Sequence, residues 1–173
     1  MENSENIVYK CPKFVVVEED FELPEGRVVK RYPFIKRGPG ALILAFKESK
    51  LLLLKEYRPI LGSWVYQLPG GKIEQEEPLI GARREVEEET GYSVDSIKLL
   101  FESWLSPSFI KQKNYFFVAQ LSDKGEQKLE SDETIKTEFV TLNDAVSMII
   151  DGEITSMPSV AGILYYAVTQ SKK

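Results

Sequence analysis

Residues 70–92 read GGKIEQEEPLIGARREVEEETGY, and the reading of this stretch decides the rest. Residues 78–90 carry a helical pattern. Pro78 suits a first helical turn, where its missing N–H costs nothing. Gly91 suits the left-handed stop that follows a last turn. Within this helix Glu85, Glu88 and Glu89 are spaced i, i+3, i+4 and share one face. Leu79, Ala82 and Val86 form an adjoining apolar stripe that can bury against a sheet, and Glu87 points elsewhere into solvent. Three like charges on one face repel. A divalent cation would compensate, and oxygen-only ligands at this density suit Mg²⁺ or Mn²⁺, which also bridge phosphates. Arg84, four residues before Glu88, is placed to pair with it and to orient the acidic cluster. By itself a glutamate-rich helix reads as a solvated surface helix; the flanking glycine loop is what favours a site.

The neighbouring segments read as the sheet under this helix. ALILAFKES and KLLLLKEYR, residues 41–49 and 50–58, are apolar runs joined near Glu48–Lys50 and read as buried strands of one sheet. Ser63–Leu68 is a short strand stopped by Pro69-Gly70-Gly71. Val94–Leu105 and Lys113–Leu121 read as strands, Ser122–Glu133 as a polar, acidic loop, and Thr137–Thr141 as a short strand. Leu142–Asp151 and Pro158–Gln170 look helical, with Gly152 ending the first. At the N-terminal end, residues 13–17 and 28–35 hold β-branched and aromatic runs around a turn-rich acidic link, Glu18–Arg27. They read as a hairpin or small sheet. The breaker cluster Arg37-Gly38-Pro39-Gly40 divides this N-terminal β extension, residues 1–38, from a main domain, residues 39–173. The element order is mixed, so the fold class is α/β with a mixed (α+β) sheet, arranged as an α/β/α sandwich.

Bulk composition narrows the chemistry. The 173 residues fit one domain with a small extension, and 43% hydrophobic and 28% charged residues suit a globular chain with an adequate core. A net charge of −5 gives no general attraction for nucleic acid or an anionic membrane. The apolar runs at 41–46 and 51–54 are too short to span a bilayer. The single cysteine, Cys11, allows no intrachain disulfide, and the start MENSENIVYK lacks the pattern of a signal peptide. The expected location is cytoplasmic. The chain has no histidine, which removes the commonest general base and the commonest transition-metal ligand. Against 27 acidic residues, a carboxylate–magnesium site is the natural suspect.

The stretch resembles the Nudix box, G-x5-E-x7-R-E-U-x-E-E-x-G-U with U a large apolar residue. Gly70, Glu76, Arg84, Glu85, Val86, Glu88, Glu89, Gly91 and Tyr92 meet it. The resemblance implies the Nudix-type α/β/α sandwich, with the box as loop–helix–loop. It implies Glu85, Glu88 and Glu89 as metal ligands with Glu89 central, the Gly70 backbone carbonyl as a further ligand, and Arg84 positioning the glutamates. One departure stands out: many members count the box from the second glycine, whereas Gly71 stands one residue too close to Arg84. This leaves open whether Gly70 or Gly71 supplies the carbonyl, and whether Glu76 or Glu77 plays the structural loop role.

Outside the box, three features resemble the ADP-ribose pyrophosphatase branch. Pro107 in SPSF falls 16 residues after Gly91, where that branch carries a proline, although Ser108 replaces its usual glycine. KEYRP, residues 55–59, resembles its Q-Y-R segment and makes Arg58 a phosphate-facing candidate. The N-terminal strands with LPEGR, residues 23–27, resemble the small sheet that branch uses for dimer exchange and part of the adenine pocket. Arg27 is then a substrate-contact candidate, and a homodimer is expected. Each also has a plainer reading: Pro107 as a strand end, Arg58 as a surface charge, Arg27 as a turn residue.

By the same resemblance the general base is a glutamate on a distant loop. Lys128–Lys136 is the place to look, with Glu130 and Glu133 as candidates and Asp132 behind them. The implied reaction is Mg²⁺-dependent attack of water on a diphosphate, which would turn ADP-ribose into AMP and ribose 5-phosphate. The alternatives are the same chemistry on nucleoside triphosphates, dinucleoside polyphosphates or other nucleotide sugars. A non-catalytic nucleotide-binding or dimerisation module is a further alternative.

Overall fold

The computed structural model describes residues 5–131 and 133–171. The strands are β1 (Asn6–Lys10), β2 (Val15–Glu22), β3 (Val28–Lys36), β4 (Gly40–Lys47), β5 (Lys50–Arg58), β6 (Ser63–Gln67), β7 (Tyr92–Ser106), β8 (Ile110–Lys124) and β9 (Ile135–Val140). The helices are α1 (Pro78–Thr90), α2 (Leu142–Ile150) and α3 (Met157–Gln170). The strands form one mixed sheet. β4 runs parallel to β8, while β7 pairs β8 and both β6 and β9 pair β5 in the antiparallel sense.

β4 and β5 read as unbroken apolar runs because both their faces are covered. Ala41, Ile43, Ala45, Leu52 and Leu54 join Ala82 and Val86 of α1 in one core. The alternate residues Leu44, Phe46, Leu51 and Leu53 join Ala145 of α2 and Ile163 of α3 in the other. The sheet thus lies between α1 and the α2–α3 pair, which is the expected sandwich.

β4 and β5 pair only at their hairpin end, through Phe46 with Leu51 and Lys47 with Lys50. Beyond it they part. The edge of β4 is taken instead by the segment after β6: the Ala41 N–H donates to the Gly71 carbonyl and the Ile43 N–H to the Pro69 carbonyl, each at 2.9 Å. The glycine loop is therefore stitched into the sheet opposite α1.

Three local readings need correction. The acidic link is shorter than Glu18–Arg27, because β2 continues to Glu22 by pairing Glu19 with Tyr32 and Phe21 with Val29. The turn closes within Leu23–Arg27, where the Leu23 N–H donates to the Arg27 carbonyl. β1 was not expected: all five of its residues are exposed, so it shows no buried periodicity and is held by its ladder to β2. Leu79 is 42% exposed and leaves the apolar stripe. The Glu76 side chain folds against Gly81 and fills the space beneath the first turn, so the buried side of α1 runs through Gly81, Ala82, Val86, Glu89 and Thr90.

Candidate functional site

Two glycines bring the loop against α1. At Gly70, with φ 150°, a Cβ would lie 2.0 Å from the Ala41 carbonyl oxygen; at Gly71 it would lie 2.3 Å from a Glu85 carboxylate oxygen. Against the fixed backbone of β4 only a glycine fits at position 70, whereas at 71 a Cβ would displace the Glu85 carboxylate. The Gly70 N–H donates to Glu89 Oε2 at 2.7 Å. The Pro69 and Gly71 carbonyls are engaged by β4, whereas that of Gly70 accepts no hydrogen bond among the described residues. Of the two carbonyls the sequence left open, Gly70's is the available one.

Arg84 organises the other side of the loop. Its Nη2 contacts Glu76 Oε1 at 2.8 Å and Glu85 Oε1 at 2.9 Å, and its Nη1 contacts Glu88 Oε2 at 2.9 Å. Nη2 also donates to the Lys72 carbonyl at 3.2 Å. The expected Arg84–Glu88 pair is present. Glu76 takes the structural loop role, since it bonds Arg84, which holds its carboxyl below the usual range. Glu77 instead precedes α1 with an extended backbone and no side-chain cap.

The cluster is electrostatically strained. Glu89 is 5% exposed. Burial pushes its carboxyl well up against the Gly70 hydrogen bond, and the charges of Glu85, Glu133 and Glu56 push the same way. Burial also raises Glu85, to about 7, against Arg84, with Glu88 and Glu133 adding to the rise. Among the described residues no three carboxylates converge on one point, because Glu88 leans to Arg84 and Glu89 to Gly70. The donor set is still all oxygen and carries more negative charge than Arg84 offsets, which suits a hard cation.

The charge of Glu133, on the distant loop, is felt by both Glu85 and Glu89. Glu133 Oε2 accepts the Glu130 N–H at 2.9 Å. Glu130 itself is exposed. Asp132 lies outside the described residues.

Arg58 ends β5 and pairs with Glu56 at 2.9 Å. Glu56, 4% exposed, went unnoticed in the sequence. A signal was there: it continues the alternation of Leu52 and Leu54, both on the α1 side. Pro107 lies in the β7–β8 turn and lines a cavity of about 550 Å³ together with Phe21, Tyr32, Phe34, Trp104 and Phe109. This cavity joins the N-terminal strands to the proline turn. Arg27 stands apart from it, at the tip of the β2–β3 turn, 71% exposed and paired with Glu25.

A family model described as NUDIX domain matches residues 36–159. The chain is 31% identical over 156 residues to an ADP-ribose pyrophosphatase of Bacillus subtilis (strain 168), covering 88% of this chain and 84% of that one. It is 32% identical over 160 residues to a methanol dehydrogenase activator of Bacillus methanolicus, covering 90% and 85%. The crystal structure of an ADP compounds hydrolase superposes with a TM-score of 0.82 at 20% identity, covering 98% of this chain and 92% of that one, which speaks for the fold.

Proposed function

This chain belongs to the NUDIX domain family, and we propose that it hydrolyses the diphosphate bond of a nucleotide sugar, with ADP-ribose giving AMP and ribose 5-phosphate. The observation that carries this reading is the loop–helix pair: Gly70 on Glu89, with Glu85 beside it and Arg84 joining Glu76, Glu85 and Glu88. The ADP-ribose pyrophosphatase relative supports the substrate.

Nudix hydrolases generally use a divalent metal, and Mg²⁺ is the ion we assign, with Mn²⁺ as a second fit. Glu85, Glu88, Glu89 and the Gly70 carbonyl would hold it. Bound there, it supplies charge neutralisation at the diphosphate and a water of lowered pKa. Glu133 takes the proton from the attacking water, a role supported by its charge acting on both Glu85 and Glu89; Glu130 serves by anchoring it through its N–H. Arg58 meets the phosphates. The aromatic cavity at Pro107 suits a stacked base. Residues 1–38 act as a homodimerising extension, and Arg27, exposed at its turn, reaches a nucleotide held by the second protomer.

A panel of ADP-ribose, other nucleotide sugars, diadenosine polyphosphates and nucleoside triphosphates, with and without Mg²⁺ and beside Glu89→Gln, tests the reading. Magnesium-dependent AMP release from ADP-ribose, lost in the variant, is the expected result. Cleavage of triphosphates alone would keep the site and discard the substrate. No turnover of anything would leave a nucleotide-binding module.

A further inference from the structure

Glu56, Arg58 and Gln67 form a closed ring across the β5–β6 pair. Glu56 Oε1 meets Arg58 Nη1 at 2.9 Å. Gln67 Nε2 donates to Glu56 Oε2 at 2.6 Å, and Arg58 Nη2 donates to Gln67 Oε1 at 3.1 Å. Glu56 and Gln67 are 4% and 7% exposed, while 44% of the Arg58 side chain reaches solvent. We propose that Glu56 and Gln67 are positioning residues that lock the Arg58 guanidinium in place for a substrate diphosphate, an inference that rests on the diphosphate-hydrolase reading above.

Stability does not account for the ring. Burying a carboxylate and an amide beside Leu52 and Leu54 costs solvation that well-packed apolar residues would not. Position does account for it. Glu56 lies close enough to Glu89 for its charge to raise that carboxyl, and Gln67 precedes Gly70 by three residues. The ring therefore ties Arg58 to a carboxylate whose charge acts on Glu89. A guanidinium has five N–H donors in a planar fork; the ring takes one of them in the Nη2 hydrogen bond to Gln67 and holds Nη1 in an ion pair with Glu56. The others stay available to phosphate oxygens. Arginine is rich in rotamers, so ordering it before binding removes a cost that binding would otherwise carry. In an otherwise acidic neighbourhood, the ring also ties one cation where the substrate brings negative charge.

The test is a double-mutant cycle on ADP affinity, read by titration calorimetry with ADP as the diphosphate probe, so that no turnover is needed. Glu56→Gln is expected to weaken ADP binding about 10-fold and Arg58→Ala about 100-fold, the range of charge-assisted contacts. The double variant should be no weaker than Arg58→Ala alone. The exchanged variant Glu56→Gln/Gln67→Glu returns one carboxylate and one amide to the ring. It should restore affinity to within about threefold of wild type, and it carries the test alone if Glu56→Gln melts below the assay temperature. Multiplying effects in the cycle, no loss in Glu56→Gln, no rescue by the exchange, or no ADP binding by wild type would each overturn the inference. ADP-ribose kinetics run in parallel separate the two readings. An intact cycle on ADP without turnover of ADP-ribose strikes only the substrate. Turnover, with a raised KM and a little-changed kcat in Glu56→Gln, supports both.

Discussion

The backbone N–H of Gly70 donates to Oε2 of Glu89 at 2.7 Å, across 19 residues of chain. That bond joins the two ends of the Gly70–Tyr92 segment, and it aims a buried carboxylate at the loop that feeds it. The glutamate-to-glutamine change leaves the shape and one acceptor for Gly70 intact while removing the charge. Glu89→Gln should lower kcat by about 10³-fold or more, in line with the loss of a central metal ligand. Its metal-free melting temperature should be unchanged or higher, because a buried charge without a cation is costly. A variant that melts far below wild type would show that Glu89 is structural; steady-state kinetics and thermal melts read both effects.

Gly70→Ala should fail for a different reason. The added Cβ would meet the Ala41 carbonyl oxygen at 2.0 Å, so the loop must leave the edge of β4. The expected cost is about 3 kcal/mol or more, from overpacking plus backbone strain. Chemical denaturation measures it. A variant within about 0.5 kcal/mol of wild type would show that the loop is not stitched to β4 in solution.

The two loop glutamates should separate cleanly. Glu133→Gln is expected to reduce kcat by about 10²–10⁴-fold, the range for losing a general base. Glu130→Gln should stay within about threefold, since Glu130 bonds Glu133 through its backbone N–H and carbonyl, which the substitution leaves in place. The reverse order would reassign the base.

Stability without metal should depend on pH in a set direction. Burial raises the Glu85 carboxyl to about 7 and Glu89 above its usual range. The folded state then binds more protons than the unfolded chain above the ordinary carboxylate pKa of about 4.5. Stability must therefore fall as pH rises from there through about 7, where Glu85 is half ionised. Added Mg²⁺ should flatten this slope by stabilising the ionised forms. Melts from pH 5 to 8 in EDTA and in Mg²⁺ read the effect; a metal-free melting temperature that climbs over this range would contradict the burial of both groups.

Arg84→Ala removes the cation shared by Glu76, Glu85 and Glu88. The expected outcome is a loss of about 10–100-fold in apparent Mg²⁺ affinity, as for other residues that orient metal ligands. A magnesium titration of activity checks it, and unchanged activation would place Arg84 outside the site.

The sequence by itself determined the helix, its stop at Gly91 and the shared face of Glu85, Glu88 and Glu89. These are local matters, set by the 3.6-residue period and by glycine's tolerance of positive φ. It also determined the two-sided burial of β4 and β5, because an unbroken run of Leu, Ile and Ala has no polar face to expose. Tertiary structure decided what depended on approach across space. Glu76 rather than Glu77 meets Arg84, and the Gly70 rather than the Gly71 carbonyl is left available, because β4 parts from β5 and draws the loop into the gap. Leu79 is exposed, and the Glu76 side chain instead packs against Gly81 of the first turns. That the charge of Glu133 acts on Glu85 and Glu89 of α1 also depends on the fold, since more than 40 residues of chain separate them. Glu56 was hidden as one acid among many until the β5–β6 register buried it against Arg58 and Gln67. Periodicity specifies which face a side chain occupies, and only the packing of one element on another specifies what that face meets.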